Sequence, residues 1–209
     1  MDHINICTPE VPALMTENFD WQDMRHDFLK GILESEILGK SIYTHIVKDQ
    51  YAVCVSSPQM YHAVSQDILT RWTYPLVPES NFTQNTSFIH EKTNIYKEPN
   101  VKLAQTTIIE SPASIGANSV IESFTKLKSC NVGRFCEIGS NNTLTNSYIM
   151  DNCKIGNSVT IIGAILGKAV TIGDGTVIGT GCLIEDGTII PENSKISPNS
   201  KVFSQTGRT

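Results

Sequence analysis

The side chains of this sequence best suited to chemistry are its histidines and cysteines. A histidine can act as a general base or bind a metal through a ring nitrogen, and the five histidines are His3, His26, His45, His62 and His90. The six cysteines stand at positions 7, 54, 130, 136, 153 and 182 and form no CxxC pair. We therefore interpret the cysteines as reduced core residues, not metal ligands or disulfides, and we expect no metal site and no cofactor.

The pair Asn81-Phe82 combines hydrogen-bonding capacity with a large apolar side chain. The amide of Asn81 offers two donors and an acceptor, and Phe82 is a large apolar side chain. The surrounding residues 73–100 are rich in Pro, Asn, Ser and Thr and show no alternation, which is typical of a connector. From the residues alone we favour a structural role, in which Asn81 holds a turn and Phe82 covers the end of the domain that follows.

The domain that follows is a six-residue repeat over residues 109–202. Each block opens on an aliphatic residue, and the fifth residue of a block is usually small; a repeat of this kind is the signature of a parallel β-helix, which we predict here. The openers are Ile109, Ile115, Ile121, Leu127, Val132, Ile138, Leu144, Ile149, Ile155, Ile161, Leu166, Ile172, Ile178, Ile184, Ile190, Ile196 and Val202. The small residues are Ser119, Thr125, Cys136, Cys153, Val159, Thr176, Cys182, Thr188, Ser194 and Ser200.

Three blocks contain five residues and begin at Leu127, Leu144 and Ile161, 17 positions apart. If one coil is three blocks, the short block falls at the same corner of three successive coils. Coils then start near residues 109, 127, 144, 161, 178 and 196, and openers stack on openers in the next coil. We expect the short corners to form a tight, flat surface that a partner covers.

The residues before the repeat predict a small α/β segment. A strand is expected over residues 1–8, a helix from position 18 or 20 to about 35, and a hairpin of strands 41–47 and 51–56. Ser57-Pro58 predicts the start of a second helix, with Ser57 as N-cap, that runs to about Trp72.

Composition excludes several classes of function. Only 18% of residues are charged, the net charge is −5, and no basic stripe is present, so we expect no direct nucleic-acid binding. No apolar run approaches the ~20 residues that span a membrane, and the N-terminus has no signal-peptide pattern, so we expect a cytosolic protein. The glycines of GDGTVIGTG at 173–181 are in phase with the repeat and are interpreted as turns, not as a phosphate-binding loop.

Several segments outside the repeat carry a more specific resemblance. The chain is similar to the epsilon subunit of the guanine-nucleotide exchange factor for eukaryotic translation initiation factor two, over residues 3 to about 165 and most strongly at 67–97. The segments that carry it are INICTPEVPALMTENFDWQ, DFLKGIL, EILGKSIYTHI, YAVCVSS, YHAVSQDILTRWTYPLVPESNF and NIYKEPNV.

This resemblance implies a left-handed β-helix at 101–209, a connector at 75–100, and the C-terminal part of a nucleotidyltransferase-like α/β domain at 1–74. It implies that Asn81-Phe82 is a partner-binding motif. The implied partners are the gamma and other subunits of the exchange factor and the GTP-binding initiation factor two. The family's nucleotide-binding signature and C-terminal exchange domain are missing from this sequence, so we expect a non-catalytic segment for subunit assembly and docking of the GDP-bound factor.

Two other classes of protein remain open on the sequence. One is the C-terminal oligomerisation or regulatory half of a sugar-nucleotide pyrophosphorylase, and the other is a structural β-helix subunit of a larger assembly. Hexapeptide-repeat proteins also include acyltransferases and carbonic anhydrases, which use histidines near the coils. Because no histidine of this chain lies between 109 and 202, we expect neither activity.

Overall fold

The computed structural model of the chain describes residues 5–35, 39–83 and 85–204. The chain forms two compact units that divide between Cys54 and Val55. This division differs from the boundary near residue 74 that the sequence suggested, because the helix that follows Ser57 packs on the solenoid. The descent of residues 1–74 from a nucleotidyltransferase-like domain stays a prediction.

The first unit is helical. Its elements are helix α1 (Glu10–Glu17), a π-helix (Met24–Leu29) and helix α2 (Lys30–Glu34). The carboxylate of Asp23 accepts hydrogen bonds from the backbone amides of Arg25 and His26 and so caps the start of the π-helix. The helix begins at Met24, after both of the predicted starts at positions 18 and 20. Phe28 and Ile32 are buried, and α1 is a helix that the sequence analysis missed.

The predicted hairpin of residues 41–47 and 51–56 is wrong, since these residues have no regular secondary structure. Their apolar side chains face solvent, as Tyr43 and Ile46 illustrate. An isolated two-stranded hairpin is marginal in water unless its apolar face is covered. Residues 5–8 of the predicted first strand are also irregular, and residues 1–4 lie outside the described part of the chain.

The second unit begins with helix α3 (Pro58–Leu69). The hydroxyl of Ser57 accepts a hydrogen bond from the amide of Met60, and Pro58 occupies the first turn, so the predicted start is confirmed. The helix ends at Leu69, three residues before the predicted end at Trp72. A 3-10 helix (Pro78–Ser80) follows in the connector.

A parallel β-solenoid of three sheets makes up the rest of the second unit, with strands numbered in chain order. The first sheet contains β1 (Ile89–Lys92), β2 (Ile95–Lys97), β5 (Ala113–Ile115), β8 (Asn131–Val132), β11 (Tyr148–Ile149), β14 (Ile165–Leu166), β17 (Leu183–Ile184) and β20 (Lys201–Val202). The second contains β3 (Lys102–Leu103), β6 (Val120–Ile121), β9 (Glu137–Ile138), β12 (Lys154–Ile155), β15 (Thr171–Ile172) and β18 (Ile189–Ile190). The third contains β4 (Ile108–Glu110), β7 (Lys126–Lys128), β10 (Thr143–Thr145), β13 (Thr160–Ile162), β16 (Val177–Ile178) and β19 (Lys195–Ile196).

The stacking that the block lengths predicted is confirmed. In the third sheet the openers pair in the order 109, 127, 144, 161, 178 and 196, one per coil. The openers from Ile115 to Ile190 are buried, and the small residues Thr125, Cys136 and Val159 are buried beside them. Each coil therefore buries its apolar residues against its neighbours. The solenoid starts earlier than predicted, because β2 already pairs with β5.

The corners of the short blocks are turns with a residue in the left-handed region, at Ser129, Asn146 and Gly163. They carry no long loops, as the phasing required. Helix α3 contacts Tyr148, at the end of the second short block. The partner surface expected at these corners stays a prediction.

Candidate partner-binding site

Asn81 stands directly after the 3-10 helix and adopts the left-handed conformation, with φ of 48°. Asparagine tolerates this conformation better than most residues because its short side chain can hydrogen-bond locally. The side-chain oxygen accepts a hydrogen bond of 2.9 Å from the amide of Phe88, and the side-chain nitrogen donates to the carbonyl of Glu79 at 3.1 Å. Asn81 thus ties the two ends of the segment 81–88, which we call the connector loop. The turn-holding role expected of Asn81 is confirmed.

Phe82 is 66% exposed and does not cover the end of the solenoid, so that part of the structural expectation is wrong. Other large apolar side chains of the preceding segment are exposed as well, namely Trp72, Tyr74 and Leu76. Single exposed aromatic side chains are normal, so it is the number of them along one short segment that makes this segment a candidate surface for a partner.

The backbone of the segment that carries these exposed side chains is fixed by local polar contacts. The guanidinium of Arg71 forms an ion pair with Glu79. The hydroxyl of Thr73 donates to the carbonyl of Leu76, and that of Ser80 donates to the carbonyl of Pro75, both at 2.5 Å. The exposed apolar groups are therefore presented on a constrained chain, which lowers the entropy lost when a partner binds.

Tyr96 joins this segment to the first coil. Its side chain is fully buried, and its hydroxyl donates a hydrogen bond of 3.1 Å to the carbonyl of Leu69 at the end of α3. Of the large apolar residues in the connector, Tyr96 alone is fully buried among those described, while Phe82 and Ile89 face solvent.

A buried carboxylate holds the other side of the connector loop. Glu98 is 4% exposed and forms two hydrogen bonds with the guanidinium of Arg134, at 2.5 and 2.6 Å. Burial alone raises the pKa of the Glu98 carboxyl, but the hydrogen bonds from Arg134 and from the amides of Ala117 and Ser87 outweigh it and hold that pKa below its usual range. Neither Glu98 nor Arg134 was singled out by the sequence analysis.

Helix α3 places a histidine beside the coils. The expectation that the chain has neither acyltransferase nor carbonic anhydrase activity did not consider it, because that expectation counted only histidines within residues 109–202. His62 Nδ1 lies 2.7 Å from the hydroxyl of Tyr148, and both residues line a cavity of about 370 Å³ together with Asn146, Ile165 and Leu183. His90 stacks on Tyr96, 4.9 Å between ring centroids. Of the four histidines in the described ranges, two therefore lie close to or on solenoid strands, although none lies within 109–202.

Among the described residues, no group of three or more histidine, cysteine or acidic side chains is placed to hold a metal ion. Cys7 and Cys54 are exposed, and Cys130, Cys136, Cys153 and Cys182 are free thiols inside the solenoid. The interpretation of the cysteines as core residues is confirmed for these four and wrong for Cys7 and Cys54. No helix in the described ranges has the length and apolar character needed to span a bilayer.

The geometry defines a hexapeptide-repeat β-helix domain with a structured connector at its N-terminal side. Residues 92–196 match the family model described as the EIF2B subunit epsilon LbH domain, where LbH denotes a left-handed β-helix. The chain belongs to this family, so the left-handed β-helix implied by the resemblance is confirmed.

Two curated relatives support the same family. The translation initiation factor eIF2B subunit epsilon of Schizosaccharomyces pombe is 51% identical over 114 residues, which are 54% of this chain and 17% of that protein. The protein of the same name from Dictyostelium discoideum is 44% identical over 114 residues, 54% of this chain and 16% of its own length. The matched region is thus about a sixth of the length of either relative.

Solved structures of other proteins share the fold over about half of this chain. A suspected acetyltransferase of Bacillus cereus has a TM-score of 0.50 and 20% identity, over 53% of this chain and 69% of that chain. At that identity the likeness shows a common fold, and it carries no argument for acetyl transfer by this chain.

Proposed function

We propose that this chain is a non-catalytic segment of the epsilon subunit of a guanine-nucleotide exchange factor and that its connector binds the GTP-binding translation initiation factor two. Phe82 is the contact residue, and Asn81 holds the loop that presents it. The observation that carries the proposal is the division of roles between the two neighbours: the Asn81 amide is used within the chain, whereas Phe82 is 66% exposed. The names of the family and of both relatives support the assignment to a translation initiation factor subunit.

Exchange requires no covalent step. An exchange factor binds the nucleotide-free state of its G protein preferentially and so shifts the equilibrium away from the GDP-bound state. A rigid solenoid with a constrained aromatic loop suits this task, because it supplies binding energy without catalytic groups. We assign the chain to the cytosol, with the gamma and other subunits of the exchange factor as its neighbours in the assembly.

The test is binding of the chain to purified initiation factor two at low salt, beside the variant Phe82→Ala. We expect the variant to lose at least tenfold in affinity, about 1.4 kcal/mol. The matched control is Phe203→Ala, because Phe203 is 67% exposed but lies at the other end of the solenoid. Wild-type affinity of Phe82→Ala would overturn the docking role. If the chain alone does not bind, the same comparison is made with the gamma subunit present.

Two substitutions at Asn81 separate its backbone role from its side-chain role. Asn81→Gly keeps access to the left-handed conformation but removes the side-chain hydrogen bonds. Asn81→Ala removes those hydrogen bonds and also makes the left-handed conformation unfavourable. We expect Asn81→Ala to weaken binding more than Asn81→Gly. Equal affinities of the wild type and both variants would exclude Asn81 from the site.

A further inference from the structure

The ion pair of Glu98 and Arg134 joins the connector loop to the solenoid across three successive coils. Glu98 follows β2, and Arg134 stands two coils further on, between β8 and β9, since β2 pairs with β5 and β5 pairs with β8. Arg134 Nε donates to one carboxylate oxygen at 2.6 Å and Arg134 Nη2 to the other at 2.5 Å. This two-point geometry fixes both side chains more tightly than a single contact would.

The remaining hydrogen bonds of the pair reach the connector loop. The amide of Ser87 donates to Glu98 at 3.2 Å, and Arg134 Nη2 donates to the carbonyl of Asn85 at 2.6 Å. The amide of Ala117, in the coil between, donates to Glu98 at 3.0 Å. Two backbone groups of the loop are therefore held by a charge pair that is itself fixed to the solenoid.

The burial of Glu98 requires these partners. A buried carboxylate is costly unless it is paired and its oxygens are satisfied. Four donors meet the two oxygens of Glu98, and one of them comes from the loop. Release of the loop would remove a hydrogen bond from a buried charge, so the pair favours the closed loop.

We infer that Glu98 and Arg134 are positioning residues for the partner-binding site: they hold residues 85–87 on the solenoid while Asn81 ties the ends of the loop, so that Phe82 is presented in one orientation. This inference rests on the proposed function. Arg134 acts through its planar, two-donor geometry, which a lysine does not reproduce. Neither residue needs to touch the initiation factor.

The test is a double-mutant cycle between Arg134→Ala and Phe82→Ala, measured as affinity for purified initiation factor two under the conditions given above. If Arg134 acts by holding the loop, Arg134→Ala weakens binding about fivefold or more in the wild-type background and has little further effect once Phe82 is alanine. Arg134→Lys is expected to restore little of the loss. The matched control is Lys154→Ala, which breaks an exposed pair with Glu137 on the second sheet and should leave affinity unchanged.

Folding is checked by thermal denaturation of each variant, and Glu98→Gln serves as a second test because it keeps the shape of the side chain. The loop itself is followed by hydrogen exchange of the Ser87 and Phe88 amides, which should quicken in Arg134→Ala and Glu98→Gln. If Phe82→Ala weakens binding but Arg134→Ala and Glu98→Gln do not, or if the losses simply add, the positioning role is wrong. If Phe82→Ala has no effect, the proposed function itself fails.

Discussion

The hydroxyl of Tyr148 lies 2.7 Å from Nδ1 of His62, although 86 positions separate the two residues. The same hydroxyl accepts a hydrogen bond of 3.2 Å from the side-chain amide of Gln66, and the ring of Tyr61 contacts the Tyr148 ring edge-on at 5.0 Å. Three residues of α3 thus converge on one tyrosine of the first sheet. This contact fixes the helix, and with it the connector that leaves the helix at Leu69.

Tyr148→Phe should therefore destabilise the second unit. The substitution keeps the buried ring but removes the hydroxyl from His62 and Gln66, and we expect the free energy of unfolding to fall by about 1–2 kcal/mol. Urea denaturation followed by circular dichroism measures it. Tyr43→Phe is the control, because Tyr43 is 89% exposed in the first unit. Equal stability of Tyr148→Phe and the wild type would mean that the hydroxyl contacts do not hold the helix.

The thiols should divide into two classes of reactivity. Cys7 and Cys54 are exposed, whereas Cys130, Cys136, Cys153 and Cys182 are buried. Burial raises the pKa of the Cys130 thiol to about 11, which further lowers its thiolate fraction at neutral pH. We expect a thiol reagent to label two cysteines quickly in the native protein and all six in denaturant. Rapid labelling of more than two would show that the solenoid opens readily.

The contribution of Glu98 to stability should disappear in acid. The folded-state pKa of Glu98 is held below its usual range, so its contribution is fully present above the unfolded pKa of about 4.3 and is lost as pH falls through the lower folded value. Wild type and Glu98→Gln are compared by thermal denaturation between pH 7 and pH 3. The wild type should be the more stable at neutral pH, and the difference in Tm between the wild type and Glu98→Gln should decrease only below about pH 4. A gap that is constant with pH would mean that the charge of Glu98 is unimportant.

The solenoid was predictable because its signal is periodic. Stacked coils must place the same residue type at the same phase, so the spacing of Leu127, Leu144 and Ile161 was enough to give the pairing seen in the third sheet. The start of α3 was also predictable, because Ser57-Pro58 is a local capping signal.

The site was only partly predictable, because its contacts are long-range. Asn81-Phe82 came from the resemblance, and a turn at Asn81 was a local inference. The pairing of Glu98 with Arg134 spans 36 positions, and nothing periodic marks either residue. One signal was available in the sequence. Glu98 and Arg134 are charged residues that stand at turns between strands of the repeat, where a charged side chain can reach the neighbouring connector. The wrongly predicted hairpin at 41–56 shows a different error, because there the alternation of residues predicted strands where the chain has no apolar surface for them to pack on.

Helix α3 changes how the solenoid would respond to a pulling force. Tyr96 and Tyr148 lie in one column of the first sheet, three coils apart, and α3 is bonded to both, through Leu69 and His62. Coils that contact only their neighbours can peel away one at a time. Because helix α3 links the N-terminal coils to one another, unfolding that proceeds coil by coil from the C-terminal end should stop near Tyr148 until the helix detaches. The coils beside the connector loop are then the last to be lost.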